Sequence, residues 1–362
     1  MKSKILQISS RADRSGGPIH LKDVLNVLSC DERFIMSGAF PENSEMSKEL
    51  KQKCYKFIPI EERKFYLITL IKLFNFCKNE KINIIHSHGR GAGIYSRILK
   101  LTGVKVIHTY HGIHKENNFE GMLKFFIDKT LTFLTDVFIF VSNDEKDTAF
   151  SQSLAPPHKS VVILNGVDVD HINQKSNENN YSFDKINIPS NKIIVGLMGR
   201  ITYQKGHDIL VKMIADNPNL FKDYHFIIAG KGEKKELLEK VEKHKVKNIS
   251  FVGEVSTPYS FLKKIDIYLS TSRWEGLPLT ALEAMALNKP CILSNTIGHR
   301  ELSKYCQLYD LKSTMSLLSC LKNHKANQYE FPKKFTRNEM CKSLADIYFQ
   351  NSSDSHMPFR SS

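Results

Sequence analysis

The sequence predicts an α/β protein with two tandem Rossmann-like domains, each built on a doubly wound parallel sheet. Short runs of β-branched and aromatic residues alternate with amphipathic helical stretches along most of the 362 residues, as in parallel sheets covered on both faces. The alternation breaks in a polar, Asn-rich segment at 171–191 and then resumes. The length also exceeds what one ordinary core needs.

The first series of elements fills residues 1–170, which we expect to form one Rossmann-like domain. Its predicted strands are Ile5–Ile8, Phe34–Met36, Ile82–His86, Val104–His108, Val137–Val141 and Val161–Leu164. Helices are predicted after Gly17 and over Lys64–Asn79, Ala92–Leu101 and Met122–Phe133. Residues 171–191 lack periodicity and are predicted to be an interdomain linker.

The second series fills residues 192–335, predicted to be a second Rossmann-like domain. Its strands are predicted at Ile193–Leu197, His225–Ala229, Ile249–Val252, Ile267–Ser270 and Pro290–Leu293, with helices that include Lys234–Lys245 and Thr280–Leu287. A last amphipathic helix at 336–350 is expected to pack back toward the N-terminal domain. The tail at 351–362 is expected to be disordered.

The composition argues against several classes of protein. Seven cysteines at loose spacing, with no C-x-x-C, argue against a disulfide framework and against a zinc site. The N-terminus lacks the apolar core of a signal peptide, and no run of about 18 apolar residues occurs. We therefore expect a cytosolic protein. The net charge is +14, but no basic run is interleaved with stacking aromatics, so a nucleic-acid partner is disfavoured.

Positive charge is concentrated between Lys48 and Lys105. This stretch carries thirteen Lys or Arg against four Glu, an excess of nine, around the apolar-aromatic segments Phe57–Ile60 and Phe65–Phe76. Such a combination suits an anionic membrane surface at the inner face of the plasma membrane. It equally suits a solvated basic face over a buried amphipathic helix.

Two loops that follow strands of the second series can bind a diphosphate and a sugar. The first, Gly199–Gly206, offers the guanidinium of Arg200 and the ammonium of Lys205 between glycines that allow close approach. The second holds Glu275 and leads through Gly276 into a helix N-terminus, where free N–H groups favour phosphate. Glu283 follows one turn into that helix, and paired carboxylates suit sugar hydroxyls.

In the first series, histidines stand at the ends of predicted strands. His111 lies in the loop Thr109–Gly112, where it can bind a sugar hydroxyl, transfer a proton, or simply be structural. His86 and His88 have strand-like spacing and form either a metal pair or, as we favour, cleft-lining polar groups. A further loop, Arg11–His20, contains the pair Gly16-Gly17 before the first helix.

Two strings resemble motifs of other chemistry. Asp168-Val169-Asp170 spells D-x-D, but it follows Asn165-Gly166, which favours a turn. Gly89–Gly93 resembles a dinucleotide fingerprint, but its last spacing is missing and no Asp or Glu occurs from Ile94 to Lys115.

Taken together, these strings resemble the retaining glycosyltransferases of family 4, which have the two-domain GT-B fold. The matching features run in family order over about residues 1–325: Gly16-Gly17, Thr109–Gly112, Asn165–Asp168, Gly199-Arg200 with Lys205-Gly206, Ala229–Gly232, and Glu275 with Glu283. The resemblance implies that residues 1–170 form an acceptor-side domain and that residues 192–335 form a nucleotide-sugar-binding domain. It implies a donor held in a cleft between the two domains. It also implies retention of anomeric configuration by front-face attack, with no protein nucleophile, metal or other cofactor.

The resemblance also implies roles for individual residues. Arg200 and Lys205 would hold the donor diphosphate, Glu283 would bind the ribose, and Glu275 would contact the transferred sugar. The remaining donor contacts would come from Gly17, Gly230, Val252, Gly276, Leu277, Pro278, Leu279 and Thr280. His111 would lie beside the donor sugar, and His20, His86 and His88 are assigned to the acceptor side.

The expected substrates are a nucleotide diphosphate sugar, with UDP favoured, and a lipid-linked or membrane-resident glycan, as in O-antigen, capsule or lipopolysaccharide assembly. Two alternatives stay open at this point. One is an NAD-dependent enzyme built on the Gly89 loop, which lacks the ribose-binding acid. The other is a non-catalytic binding protein, suggested by charge alone.

Overall fold

The structure, a computed structural model, describes residues 2–113, 119–178, 181–184, 186, 188–325 and 330–352. It divides into two compact units, one of Met1–Gly166 with Thr336–Ser362 and one of Val167–Phe335. Among the described residues, no helix is both long enough and apolar enough to cross a membrane.

Unit 1 contains a seven-stranded parallel sheet in the order β3-β2-β1-β4-β5-β6-β7. Its strands are β1 Ser3–Ser9, β2 Phe34–Phe40, β3 Phe57–Pro59, β4 Ile84–His88, β5 Lys105–Thr109, β6 Val137–Phe140 and β7 Ser160–Val162. Its helices are α1 Gly16–Leu28, α2 Ser47–Gln52, α3 Leu67–Glu80, α4 Gly89–Leu99, α5 Phe119–Thr130 and α6 Asn143–Ser151. The order reverses direction at β1 and β4, the switch point where such sheets bind ligands.

Unit 2 contains a six-stranded parallel sheet in the order β10-β9-β8-β11-β12-β13. Along the chain run α7 Val169–Glu178, β8 Ile193–Met198, α8 His207–Asp216, β9 Tyr224–Ala229, α9 Lys235–Lys243 and β10 Ile249–Gly253. They are followed by α10 Pro258–Lys264, β11 Ile267–Ser270, α11 Leu279–Ala286, β12 Cys291–Ser294, β13 Gln307–Tyr309 and α12 Thr314–Lys322. The switch point lies between β8 and β11.

The last helix, α13 Arg337–Ser352, belongs to unit 1 and packs against α1. Six of its residues are buried: Met340, Cys341, Leu344, Ala345, Ile347 and Tyr348. Asn351 and Ser352, which begin the tail predicted to be disordered, end this helix. The rest of that tail lies outside the described residues.

Two elements differ from what the sequence pattern indicated. The predicted linker at 171–191 begins within α7, whose Ile172 is buried and which packs against α10 and α11. Phe57–Pro59, which belongs to the apolar-aromatic segment for which a membrane surface and a buried face were equally expected, is strand β3. Phe57 packs on the core and the following Ile60 is 4% exposed, so these residues cover the sheet edge.

Candidate active site

The loop after β8 is shaped by glycines that no other residue can replace. Gly206 begins α8 with φ +66, and a Cβ at this position would lie 2.1 Å from the carbonyl oxygen of Thr271. Gly230, after β9, has φ +153, and its Cβ would lie 1.9 Å from the carbonyl oxygen of Gly199. The first close approach joins the loop after β8, which carries Arg200 and Lys205, to the loop after β11. The second joins the same loop to the loop after β9.

Lys205 and Glu275 form an ion pair between the loops that follow β8 and β11. The ammonium Nζ lies 2.6 Å from Glu275 Oε1, which also accepts a 2.6 Å hydrogen bond from the hydroxyl of Ser272. The amide of Gln204 donates to the carbonyl of Trp274 at 3.0 Å and to Glu275 Oε2 at 3.4 Å. The ion pair of Lys205 with Glu275 and the hydrogen bonds of Gln204 therefore join the loop after β8 to the loop after β11.

Glu275 stays ionised although it is only 7% exposed. Burial alone would raise its pKa, but the charge of Lys205, the nearby His299 and the bonds from Lys205 and Ser272 lower it below the usual value. The structure thus keeps a buried carboxylate beside an ammonium, a pair that can bind sugar hydroxyls and phosphate oxygens together.

His299 is a neighbour of Glu275 that the sequence pattern did not single out. Burial lowers the pKa of its imidazole to about 4, so the ring is neutral at pH 7. Its Nδ1–H donates to the carbonyl of Ser294 at 2.8 Å, and no partner is found for Nε2. No local motif marks this position, because it becomes relevant only when β12 lies beside β11.

A second ion pair fixes the backbone around the first. Arg273 donates both ends of its guanidinium to Asp208, at 2.9 and 2.7 Å, and stacks 3.9 Å above the ring of Tyr203. Its backbone N–H donates to the carbonyl of Gln204 at 2.7 Å. Bidentate pairs of this kind define orientation as well as distance. The position of Lys205 relative to Glu275 therefore depends on the ion pair between Arg273 and Asp208.

Helix α11 presents its N-terminus at the same edge of the sheet. Its N-cap, Pro278, supplies no side-chain hydrogen bond, so amides of the first turn have no side-chain acceptor there. Gly276, Leu277, Pro278 and Leu279 are buried and Thr280 is half-buried. Glu283 is 9% exposed in the second turn. Arg200, Gly230 and Val252 are half-buried at the ends of β8, β9 and β10.

In unit 1 the structure brings together the histidines that the sequence placed apart. His20, His88 and His111 each offer a ring nitrogen within 4.8 Å of those of the other two. Gly17 lies beside them, because a Cβ there would be 3.5 Å from Cδ2 of His111. The ring of His86 is tilted against that of His88 with centroids 4.2 Å apart, but its nitrogens bond to Tyr348 and Thr109 instead.

A buried acid supports the His111 loop. Glu145 on α6 accepts hydrogen bonds from the backbone N–H groups of Gly112 and, at 2.9 Å, Val141. Burial raises its pKa to about 7, partly offset by those two bonds. His111 itself has φ +65, an uncommon conformation for a residue with a side chain. In the sequence Glu145 is one of several acids in a polar helix, and only the fold distinguishes it.

The D-x-D string and the glycine-rich string, which are typical of other enzyme classes, have structural roles in this protein. Asp168 precedes α7, and its carboxylate accepts the backbone N–H of His171 at 3.2 Å, as a helix cap does. Gly89–Gly93 forms the first turn of α4, and a Cβ at Gly91 would lie 2.7 Å from Ser10 Oγ. Here the glycines serve the packing between α4 and the end of β1.

Comparison with known proteins defines the family. The model for Glycosyltransferase Family 4 matches residues 38–171, and that for Glycosyl transferases group 1 matches residues 179–305. An Escherichia coli UDP-Gal:alpha-D-GlcNAc-diphosphoundecaprenol alpha-1,3-galactosyltransferase is 30% identical over 263 residues, 68% of this chain and 68% of that protein. The chain belongs to glycosyltransferase family 4. It is therefore a glycosyltransferase enzyme, as the sequence predicted.

Two further comparisons agree. The O-antigen biosynthesis glycosyltransferase WclY of Escherichia coli is 26% identical over 290 residues, 74% of this chain and 79% of that one. The crystal structure of Anabaena HepE in complex with UDP and glucose superposes with a TM-score of 0.80 at 17% identity, covering 96% of this chain and 100% of HepE. That likeness confirms the predicted GT-B fold of the transferase.

Proposed function

We propose that this glycosyltransferase moves a sugar from a UDP-sugar to a lipid-linked glycan, with retention of anomeric configuration, in O-antigen or capsule assembly. The observation that carries the proposal is the Lys205–Glu275 pair, which joins two loops at the edge of the unit 2 sheet. The names of the relatives support the substrate class, because one uses UDP-Gal and a diphosphoundecaprenol-linked acceptor.

Unit 2 is proposed to bind the donor. Arg200 and Lys205 bind the diphosphate and stabilise charge on the leaving group, a transition-state role. The amides at the start of α11 contact phosphate and sugar. Glu275 binds the transferred sugar, Glu283 the ribose, and the loops at Gly230 and Val252 flank the base. The cations are supplied by the protein, so we propose transfer without a metal.

Unit 1 is proposed to serve the acceptor. His20, His86 and His88 lie among residues at its sheet switch point, and His111 keeps its proposed role in the transfer itself. The acceptor is expected to be membrane-resident, and α3 offers a matching surface. The consecutive residues Phe65, Tyr66, Leu67 and Ile68 are 42–65% exposed, as is Ile71 at 48%. We refer to these five residues as the α3 apolar patch.

Basic side chains surround the α3 apolar patch. Lys64 and Lys72 are exposed beside it. We propose that this surface rests on the anionic inner face of the plasma membrane, where apolar side chains enter the interface and lysines attract lipid headgroups. The patch is smaller than the sequence suggested, because Phe57 and Ile60 are part of the core.

A ligand comparison tests the proposal. UDP should raise the melting temperature, since a ligand at 100 times its Kd stabilises the folded state by about 2.7 kcal/mol. NAD and an oligonucleotide should leave it unchanged. A shift with NAD alone would overturn the donor assignment.

A transfer assay tests the chemistry. The enzyme should be incubated with a panel of UDP-sugars and a synthetic polyprenyl-diphosphate glycan. We expect one donor to yield a product whose anomeric coupling constant matches that of the donor sugar. A product of opposite configuration would refute retention, and transfer only to free monosaccharides would refute the lipid-linked acceptor.

A further inference from the structure

Three histidines of unit 1 converge on one point from three different elements. His20 comes from α1, His88 from the end of β4 and His111 from the loop after β5. The ring centroids of His20 and His111 are 4.7 Å apart, and those of His88 and His111 are 5.4 Å apart. His88 Nδ1 lies 3.1 Å from His111 Nε2. We refer to these residues as the histidine trio.

Hydrogen bonds behind the trio fix which nitrogens carry protons. Gln7 donates its amide to the hydroxyl of Tyr348 at 2.9 Å, so its Oε1 is the atom that accepts from His88 Nε2–H at 2.8 Å. His88 Nδ1 is therefore an acceptor that faces the trio, and His111 Nε2–H donates to it at 3.1 Å. His20 donates Nδ1–H to Asn165 Oδ1 at 3.0 Å, which leaves Nε2 as a lone pair.

The lone pair of His20 is buried. His20 is 1% exposed, and within the described part of the chain its Nε2 has no hydrogen-bond partner. A buried acceptor left in this way costs about 1–3 kcal/mol, so it requires an explanation. Each of the three rings offers one nitrogen within 4.8 Å of those of the other two, and a neutral imidazole is the form that binds metals.

From this geometry we infer that the histidine trio binds a late first-row divalent ion, with Zn²⁺ as the principal candidate. Three imidazole nitrogens with an open fourth position form a ligand set that Zn²⁺ accepts. Asn165 and Gln7 act as the outer groups that orient ligating histidines. The trio has no carboxylate, so Mg²⁺ and Mn²⁺, which prefer oxygen ligands, are poorly matched.

The site differs from the metal pair considered from the sequence. His86 and His88 alternate along β4, but His86 turns both nitrogens to other partners, Tyr348 at 2.6 Å and Thr109 at 2.8 Å. His88 instead joins residues 68 positions before it and 23 positions after it. A ligand set assembled from such distant positions carries no local sequence signature.

Metal binding has a functional consequence that rests on the role proposed for His111. Ligation through His111 Nε2 requires the ring proton to move from Nε2 to Nδ1, after which Nε2 can neither donate to nor accept from a sugar hydroxyl. Gly112 is held by Glu145, so the loop has little freedom to offer a substitute. Zn²⁺ should therefore inhibit transfer, although transfer itself needs no metal.

Cobalt provides a readout that does not depend on activity. The full-length enzyme, treated with EDTA and dialysed, is titrated with Co²⁺ and followed by visible absorption. We expect one equivalent to produce the intense bands of four- or five-coordinate Co²⁺, which Zn²⁺ abolishes and Mg²⁺ leaves intact. Absence of these bands in the wild-type enzyme would overturn the site.

Substitutions in and behind the histidine trio test whether the ion binds there. Asn165→Ala should weaken Zn²⁺ binding about 10–100-fold, the usual cost of losing an outer-shell partner, and His20→Gln should weaken it at least as much. The control is His225→Gln, which changes a buried histidine of unit 2 and should leave the affinity unchanged. Circular dichroism checks folding. Equal loss in the control would place the ion elsewhere and overturn the assignment.

Inhibition is tested separately. We expect Zn²⁺ to suppress transfer over the concentration range in which it displaces Co²⁺, and EDTA to restore it. Binding without inhibition would refute the link to His111 but not the site. If no UDP-sugar supports transfer, the proposed function fails while the cobalt spectrum still decides the metal site.

Discussion

At the scale of single residues, the two carboxylates near the proposed donor site differ in surroundings. Glu275 lies in a loop and pairs with Lys205 at 2.6 Å, whereas Glu283 lies in the second turn of α11. The transferred sugar changes shape and charge during reaction, but the ribose does not. A contact to the sugar should therefore affect turnover, and a contact to the ribose should affect only binding.

Glu275→Gln should mainly lower kcat, and Glu283→Gln should mainly raise the donor KM. A hydrogen bond to a charged group contributes about 1.5–3 kcal/mol, which corresponds to roughly 10–150-fold in either constant. Steady-state kinetics and UDP calorimetry on both variants provide the measurement. The assignment is wrong if Glu283→Gln binds UDP normally while Glu275→Gln does not bind it.

Lys205→Ala should lower turnover by roughly 10²–10³-fold, the usual effect of removing one preorganised charge at a leaving group. It should also lower the free energy of unfolding by about 1–3 kcal/mol, because Glu275 is left buried without its cation. Urea unfolding and kinetics separate the two effects.

The double variant Lys205→Ala with Glu275→Gln distinguishes catalysis from stability. Removing the unpaired charge should restore most of the lost stability but none of the lost turnover. If Lys205→Ala caused no further loss of turnover in the Glu275→Gln background, Lys205 would act only by holding Glu275, and its role on the diphosphate would be refuted.

At the scale of elements, α13 ties the end of the chain to the beginning. Its Tyr348 is fully buried, accepts from Gln7 on β1 at 2.9 Å and bonds to His86 on β4 at 2.6 Å. Both strands flank the switch point of the unit 1 sheet. The helix thus stabilises the edge that carries His88, although more than 200 residues separate the two in sequence.

Tyr348→Phe should lower the free energy of unfolding of unit 1 by about 1–3 kcal/mol, since two buried polar groups lose a partner. UDP affinity, a property proposed for unit 2, should stay unchanged. Tyr55→Phe is the matched control, because Tyr55 is 65% exposed. Urea unfolding and UDP calorimetry test both points. Equal destabilisation by the control substitution, or a loss of UDP affinity in Tyr348→Phe, would contradict the argument.

The elements also show which features a sequence pattern can predict. Long apolar runs such as Ile193–Leu197 mark central strands, because both faces of a parallel sheet are covered. Strands β3 and β13, at the sheet edges, are three residues each and were missed. Helix α7 was missed because its sequence is polar and Asn-rich, and burial of Ile172 against α10 and α11 stabilises it instead.

The residues of the candidate site also divide into those that a sequence pattern can predict and those that it cannot. Loops with glycine at fixed spacing, such as those at Gly206 and Gly230, could be found because the backbone requires glycine there. His299, Gln204 and Glu145 could not, because their roles depend on which strands become neighbours. The spacing of His86 and His88 suggested a pair, but side-chain bonding separates them.

At the scale of the whole molecule, charge and apolar exposure are unevenly distributed. The net charge is +14, and the stretch from Lys48 to Lys105 contributes an excess of nine. The α3 apolar patch lies within that stretch. Exposed aromatic and aliphatic residues beside lysines are costly in water and are stabilised at a lipid interface. A membrane-resident acceptor would then be reached by a protein that has no spanning helix among its described residues.

Replacing Lys64 and Lys72 with Ala should weaken binding to anionic vesicles about 30-fold, because each lysine near a charged surface contributes about 1 kcal/mol. Binding of the wild-type enzyme should fall as salt rises and should be slight on neutral vesicles. Replacing Lys240 and Lys243, exposed on α9 of unit 2, removes the same charge and is the matched control. Flotation with phosphatidylglycerol vesicles provides the measurement.

If both pairs of substitutions weaken binding equally, net charge alone attracts the protein and the α3 apolar patch is not the contact surface. If only the Lys64 and Lys72 variant loses binding, while UDP affinity is unchanged in both, the contact with lipid is local to α3 and independent of the donor site.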